Sequence, residues 1–307
     1  MLMDERSIRR TLIKGVGIML GLVAMVTTSL VTAPQSADAA VSGCGATRYK
    51  SSGKVWRCTF ADNFSGTSLN RQNWLPVTTD TSGYHIGNDC YVDRGDNIAV
   101  RSGTLRLTTR RLSQPFDCAT PGGSYRSQYT SASLSSLGKF SQTYGRYEIR
   151  AKFPTSRGAG THSAWWLWPS SNRYGGWPYA GEIDIAEYYS RHADRAIPQI
   201  HYVPRKDQGV ASRSNYYCRI KNPQKFHTYT LLWTSTRLTI KYDGRTCMNH
   251  VLKPAVDGLG GLLGTGQPFD KPFTLALTQG VGATDNGPSA KTPFPATMVV
   301  DYVRVWQ

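Results

Sequence analysis

Three carboxylates lie within six residues of one another, at Glu182, Asp184 and Glu187, where the chain reads Glu-Ile-Asp-Ile-Ala-Glu. The first two acids alternate with isoleucines, which is the period-two pattern of a half-buried β-strand. In a regular strand Glu187 would point to the apolar side, where an unpaired carboxylate is destabilising by several kcal/mol. We therefore expect a β-bulge around residues 185–186, since one extra residue returns Glu187 to the face of the other two acids.

Crowded carboxylates repel one another, so at least one of the three should keep its proton near neutral pH. Hydrolysis of a glycosidic bond requires one ionised and one protonated carboxyl, roughly 5–5.5 Å apart in enzymes that retain the anomeric configuration. A solvated strand edge or a calcium site would also suit such a cluster. Nearby tryptophans favour the first interpretation, because flat aromatic faces stack on sugar rings: Trp177, Trp165 and Trp166.

Histidines offer further candidates for the same site. His201 lies in the next strand-like run and would face the acids if the two strands form a hairpin, although a single histidine often only packs. His162 and His85 are weaker candidates. The sequence has no ligand spacing typical of a transition-metal site and no Gly-x-Ser-x-Gly nucleophile motif.

The segments that would position these residues are strand-like runs separated by turn residues at the spacing of a β-sandwich. A hairpin is predicted over 97–101 and 104–109, and no amphipathic helix exceeds about two turns. We predict an all-β protein of two curved antiparallel sheets, whose concave side holds an extended chain. The remaining predicted strands are 129–134, 145–153, 163–168, 182–189, 196–203, 227–233, 238–242, 273–278 and 297–306.

Residues 1–39 have the features of an export signal, and residues 40–307 are expected to form a single domain. Basic residues, including Arg9 and Arg10, precede a largely apolar stretch over 16–31, and Ala-Asp-Ala precedes Ala40 as a cleavage signal. A membrane anchor is the alternative, and the paired arginines also resemble a twin-arginine signal. We expect a secreted, extracellular protein with no membrane association once the signal is removed.

An even number of cysteines in an exported chain indicates disulfides. All six lie after the expected cleavage point, and fifteen pairings are open to them. Our choice is pairing between nearest neighbours in the sequence: Cys44 with Cys58, Cys90 with Cys118, and Cys218 with Cys247.

The net charge is +16 for the whole chain and +15 (32 basic minus 17 acidic residues) without residues 1–39. Such a surface attracts anionic polymers. We expect no nucleic-acid partner, because the basic residues are scattered through strand-like segments and not clustered.

Residues 181–187, preceded by Gly-Trp-Pro at 176–178, resemble the active-site signature of glycoside hydrolase family 16, in the six-residue form of its laminarinase branch. The likeness extends to the runs at 138–154, 226–233 and 294–306, so that it covers almost everything from residue 60 to the end. The resemblance implies a concanavalin-A-like β-jelly-roll sandwich with a concave cleft. It also implies retention of the anomeric configuration. Our first hypothesis is a secreted endo-β-1,3-glucanase that requires no cofactor, and we expect it to be a monomer.

The resemblance also implies catalytic roles for the residues that match the family signature. Glu182 would be the nucleophile, Glu187 the general acid–base, and Asp184 the residue that tunes their protonation. Departures at 87–90 and 279–282 leave the substrate open, so the alternatives are β-1,3-1,4-glucan, galactan, another wall polysaccharide, or β-glucan binding without catalysis. Some family members bind a structural calcium ion near the segment that corresponds to 62–64 and near Asp301; the departure at 62–64 counts against that site here, and the resemblance leaves it open. The implied substrate contacts are Trp177, Trp165, Trp166, Asn88 and Gln279, beside His201 from the strand argument.

Overall fold

A computed structural model describes residues 42–155, 157–203, 213–252 and 267–307. These residues form β-strands almost throughout, with one short helix, α1 (Thr79–Ser82), and a 3-10 turn at Thr284–Asn286. The prediction of an all-β chain without a long helix is confirmed over this part of the sequence. The strands are β1 (Cys58–Asp62), β2 (Leu75–Pro76), β3 (Asp89–Tyr91), β4 (Ile98–Arg101), β5 (Thr104–Thr120), β6 (Gly123–Ser135), β7 (Gly145–Lys152), β8 (Thr161–Pro169), β9 (Glu182–Tyr189), β10 (Ile197–His201), β11 (His227–Trp233), β12 (Arg237–Tyr242), β13 (Arg245–Val251), β14 (Phe273–Val281) and β15 (Ala296–Trp306).

The strands belong to one continuous hydrogen-bonded sheet in the order β10-β9-β8-β14-β6-β5-β15-β7-β11-β12-β13. All pairings along this path are antiparallel, and the ladder between the long strands β5 and β6 joins its two halves. The halves pack face to face, since Tyr242 on β12 donates a hydrogen bond to the Ile185 carbonyl on β9, and Phe153 stacks on Tyr188. The predicted jelly-roll sandwich is therefore confirmed, as a single curved sheet whose two halves pack against each other.

A large apolar core lies between the two halves. Alternate residues of β7 enter it, namely Tyr147, Ile149 and Ala151, as their period-two spacing predicts. On the other half, β9 contributes Ile183 and Tyr188. Fully burying one such side chain stabilises the fold by roughly 1.5–3 kcal/mol, so this shared core fixes the position of β9 relative to the opposite half.

Two strand predictions were incomplete. The hairpin that ends in β5 is present, but β5 and β6 are much longer than predicted. Their outer parts pair with each other and are mostly exposed, so they lack the apolar alternation from which a strand is predicted. Strand β13 was missed because its sequence is mostly polar; it is an end strand in which Met248 and His250 are buried.

Three disulfides join the cysteines in the nearest-neighbour pairing: Cys44–Cys58, Cys90–Cys118 and Cys218–Cys247. The segment 1–39, expected to be an export signal, lies outside the described residues. Within the described ranges, none of the helices has the length and apolar character needed to cross a bilayer.

Candidate active site

The predicted bulge is present in the acidic strand. Asp184 pairs with Trp166 of β8, whereas the next β8 residue, Trp165, pairs with Ala186, so that Ile185 is the extra residue. The ladder to β10 has the same irregularity, between Gln199 opposite Asp184 and Ile197 opposite Glu187. Both bulge residues enter the core, and the three acids share the opposite face.

The three carboxylates line a cavity of about 310 Å³ on the outer face of β8 and β9. One wall is the 3-10 turn Thr284–Asn286, where the Asn286 side chain donates to the Thr161 carbonyl. The opposite side carries aromatic rings, since Tyr84 lies 6.1 Å from the Trp166 ring. The lining residues are Tyr84, Ile86, His162, Ala164, Trp166, Glu182, Asp184, Glu187, Tyr189 and residues 283–286.

Glu182 begins β9 directly after Gly181, which has a φ of +84° and packs against Pro268 and Phe269 so closely that a side chain would collide. The indole Nε1 of Trp177 donates to Glu182 Oε2 at 2.6 Å. Burial, followed by the charge of Asp184, raises the pKa of Glu182 to about 8, against the opposing effects of His201 and the indole donor.

Asp184 is almost completely buried, and His201 Nε2 lies 3.1 Å from its Oδ2. Burial and then the charge of Glu187 raise the pKa of Asp184 well above its usual range. One polar atom from each of Glu182, Asp184 and His201 lies within 4.8 Å of the others. A cation would fit that spacing, but the carboxylates already face the indole donor and the imidazole, so we interpret the group as acids that share protons.

Glu187 is in a different environment. Its Oε1 lies 2.9 Å from His162 Nε2 and accepts from the Tyr189 hydroxyl at 2.8 Å, while Gln199 donates to Oε2. Burial alone would raise the pKa of Glu187, but these hydrogen bonds, that of His162 first among them, outweigh it and lower the pKa. The two glutamates therefore have unequal environments, and the free site favours the proton on Glu182 and the ionised form of Glu187.

Three of the predicted contact residues lie at the cavity. Trp177 is 56% exposed beside Glu182, and its ring lies 5.7 Å from that of His201. Trp166 lines the cavity and donates from Nε1 to the Thr278 hydroxyl at 3.0 Å. His201 faces the acids, as the hairpin argument expected, because β9 and β10 are paired.

Two predicted contacts are wrong. Trp165 is fully buried because it pairs with Ala186 and points into the core. Gln279 is also fully buried, between neighbouring strands: Ser163 donates to its Oε1 at 2.6 Å, and its Nε2 donates to the Thr109 hydroxyl. Neither side chain reaches a substrate from there.

Asn88 and Asp301 lie outside the acidic cavity. Asn88 is exposed before β3, and its backbone carbonyl accepts from Ser127. Arg150 Nη1 lies 2.6 Å from Asp301 Oδ2, so this carboxylate already has a cationic partner in the protein. Asp62 already accepts three protein donors, including the Trp74 indole, so these residues do not fit the calcium site that the resemblance left open.

Several residues at the site were underestimated or missed. His162 is only a weak candidate from the sequence analysis, yet a signal for it exists. It stands four residues before Trp166, and strand periodicity therefore places both side chains on one face of β8, together with Ala164. Gln199 could have been identified in the same way, because it stands two residues before His201 and therefore shares its face of β10. Tyr84 lies in the loop between α1 and β3, where no periodic pattern of side chains predicts its position.

Comparison with known proteins places the chain in a family. The model of Glycosyl hydrolases family 16 matches residues 88–278. A glucan endo-1,3-beta-glucosidase A1 of Niallia circulans is 30% identical over 274 residues, and a keratan-sulfate endo-1,4-beta-galactosidase of Sphingobacterium multivorum is 36% identical over 183 residues. These matches cover 82% and 58% of this chain but only 37% and 40% of the two relatives.

The fold has solved counterparts as well. The X-ray structure of the laminarinase from Rhodothermus marinus superimposes with a TM-score of 0.66 at 30% identity, covering 82% of this chain and 97% of that one. The family match, the two relatives and the shared fold all agree with the acidic strand described above. The chain belongs to glycosyl hydrolase family 16.

Proposed function

We propose that this chain is a secreted, retaining endo-glycosidase that hydrolyses β-1,3-glucan by double displacement. The observation that carries the proposal is the bulged strand β9, which brings Glu182 and Glu187 onto one cavity face in unequal environments. The relatives named for glucan and laminarin hydrolysis support the substrate class.

In the first step Glu182 attacks the anomeric carbon and Glu187 gives its proton to the departing glycosidic oxygen. The new bond joins the sugar to a Glu182 oxygen, and the leaving chain departs as an alcohol. The indole N–H of Trp177 orients the attacking carboxylate, while protonated Asp184 removes the charge that would otherwise hold a proton on Glu182.

This reactive state contains the same number of protons as the resting site, with one proton moved from Glu182 to Glu187. Sugar binding at the cavity selects it without taking up a proton from solvent. Loss of that shared proton ends the first step at alkaline pH, because the pKa of Glu182 is raised to about 8.

In the second step Glu187, now ionised, takes a proton from water as the water oxygen attacks the anomeric carbon. The ester bond to Glu182 breaks, and the sugar leaves with its original configuration. Trp177, exposed beside Glu182, is placed to stack on the sugar bound on the nucleophile side. Cleavage within a chain is supported by the relative named as a glucan endo-1,3-beta-glucosidase.

The proposal is tested with E182Q and E187Q, and with D117N as a matched control on the distant β5–β6 hairpin. E182Q should abolish laminarin hydrolysis with unchanged thermal unfolding, because the amide is no nucleophile. E187Q should lose laminarin hydrolysis but retain the first step on a dinitrophenyl glycoside, whose leaving group needs no acid. Wild-type turnover in E182Q would refute the assignment.

A β-galactoside polymer is the second candidate substrate, because the galactosidase relative has 36% identity over its shorter match. Product profiles on laminarin, lichenan, agarose and keratan sulfate separate the candidates. Oligosaccharide products from laminarin with none from keratan sulfate support the glucanase, and the reverse result supports the galactosidase.

We further propose that residues 1–39 direct export and are removed before Ala40, leaving residues 40–307 as one monomeric catalytic domain. Three disulfides support an oxidising compartment. N-terminal sequencing of the secreted protein and its mass by light scattering test both points.

A further inference from the structure

His162 and Glu187 form a deeply buried polar contact in the cavity. His162 on β8 is 3% exposed and Glu187 on β9 is 9% exposed, and the two side chains meet at 2.9 Å. The contact follows from register, because His162 pairs with Tyr189 and Ala164 pairs with Glu187. The imidazole therefore projects into the space above the small alanine side chain, where the carboxylate lies.

The surroundings of the ring fix which nitrogen donates. His162 Nδ1 is buried and has no hydrogen-bond partner among the described residues. A doubly protonated imidazole would strand an N–H there, which is costly in a buried site. A neutral ring with its proton on Nε2 instead donates to Glu187 Oε1 and leaves only a lone pair at Nδ1.

We infer that His162 is a positioning residue for Glu187: by donating from Nε2 to Oε1, it holds that carboxyl in the ionised form that the second step of the reaction requires. The inference rests on the proposed function, because it assigns Glu187 the acid–base role. Gln199 also donates to this carboxyl, but it acts on Oε2. His162 and Tyr189 together saturate Oε1, so Oε2 is the oxygen left to exchange a proton with water or the glycosidic oxygen.

Other groups near Glu187 contribute to its titration but do not change when His162 is replaced. Asp285 on the cavity wall is paired with Arg191. Among the residues that the structure describes, the remaining titratable groups that face Glu187 or its hydrogen-bond partners are Glu182, Asp184 and Tyr189 on β9, His201 on β10, Tyr84, Tyr216 and, from the opposite half of the sheet, Tyr242.

The second step isolates the effect, because Glu182 is esterified in the glycosyl-enzyme and no longer titrates. With a dinitrophenyl β-glycoside the first step is fast, so a burst of dinitrophenolate is followed by slow turnover whose kcat reports the second step. The acidic limb of kcat then reports ionisation of Glu187.

We expect the acidic limb of H162L to move upward by about one pH unit, the effect of removing one hydrogen bond from a charged group. H162Q places an amide N–H near the Nε2 position without a titratable ring, and its limb should stay within a few tenths of a unit of wild type. D117N is the control for unrelated changes.

An H162L limb that coincides with wild type, with kcat changed by one factor at every pH, would mean that His162 only packs. An H162Q limb that moves as far as that of H162L would equally overturn the hydrogen-bond assignment. Absence of a burst and of polysaccharide turnover in wild type would refute the proposed function itself, and the inference with it.

A measurement on the wild-type chain covers the case in which H162L does not fold. A 2-deoxy-2-fluoro glycoside traps the glycosyl-enzyme, and 13C labelling of glutamate side chains allows Glu187 to be titrated by NMR. The inference predicts titration below the ordinary range of glutamate; titration above that range would refute it.

Discussion

Replacement of Trp177 by phenylalanine tests how the site ionises Glu182, the proposed nucleophile. The aromatic face for sugar stacking is retained, but the indole N–H that lies 2.6 Å from Glu182 Oε2 is lost. That donor lowers the pKa of Glu182 against burial and the charge of Asp184, so its removal raises the pKa further. A group that must be ionised for attack then becomes reactive only at higher pH.

The magnitude follows from the exposure of the donor. A hydrogen bond to a charged group contributes about 1.5–3 kcal/mol, and the half-exposed indole places this one at the lower end. Since one pH unit corresponds to about 1.4 kcal/mol, W177F should move the limb by about one unit and lower kcat/KM about tenfold below it.

The assay is kcat/KM of the dinitrophenyl β-glycoside against pH. This substrate needs no acid in the first step, so the limb, expected near pH 8 in wild type, belongs to Glu182 and its partner Asp184. Y179F is the matched control, because it removes one polar group from a neighbouring exposed aromatic residue. If the pH profiles of kcat/KM for W177F and wild type have their limbs at the same pH, and only KM changes, the reasoning is refuted.

Three further predictions concern stability and cofactors. E148Q should lower the free energy of unfolding by about 3 kcal/mol in urea titrations, since the fully buried carboxylate holds Arg48 and Arg146; a loss below about 1 kcal/mol would contradict this. Removing the Cys90–Cys118 disulfide, which closes a loop of 28 residues, should lower it by about 3–4 kcal/mol in the same assay; an unchanged denaturation midpoint would argue against it. Dialysis against EDTA should leave laminarin turnover unchanged, and activity restored only by added calcium would show that a metal site exists.

The bulge was predictable because two considerations agree: the alternation of side chains along the strand, and the free-energy cost of burying the Glu187 carboxylate. A strict alternation puts Glu187 in the core, where a bare carboxylate is costly, so the chain must insert a residue between Asp184 and Glu187. The structure has that residue at Ile185. The alternation in β7 was equally clear, because apolar and charged residues take turns there.

Strands buried on both faces carried no such signal. In β8 the adjacent residues Trp165 and Trp166 are both aromatic, and only the pairing with β9 determines which of them faces the cavity. Every residue of β14 is buried, so the position of Gln279 in the sequence says nothing about access to a substrate. Glu148 alternates with the apolar residues of β7 and so belongs to the outer face of that strand, yet it is buried because Arg48 from a distant segment covers it. These facts depend on contacts between segments far apart in the chain, which local pattern does not contain.

The asymmetry between the two glutamates comes from the strands on either side of β9. The bulge sets the register so that His162 of β8 and Gln199 of β10 both face Glu187 with donors. At the start of the strand Glu182 has one indole donor and lies next to Asp184, whose charge opposes its ionisation. One inserted residue therefore has two effects. It places two carboxyls on one surface, and it gives them different partners, so that under the proposed mechanism a single strand supplies both a nucleophile and an acid–base.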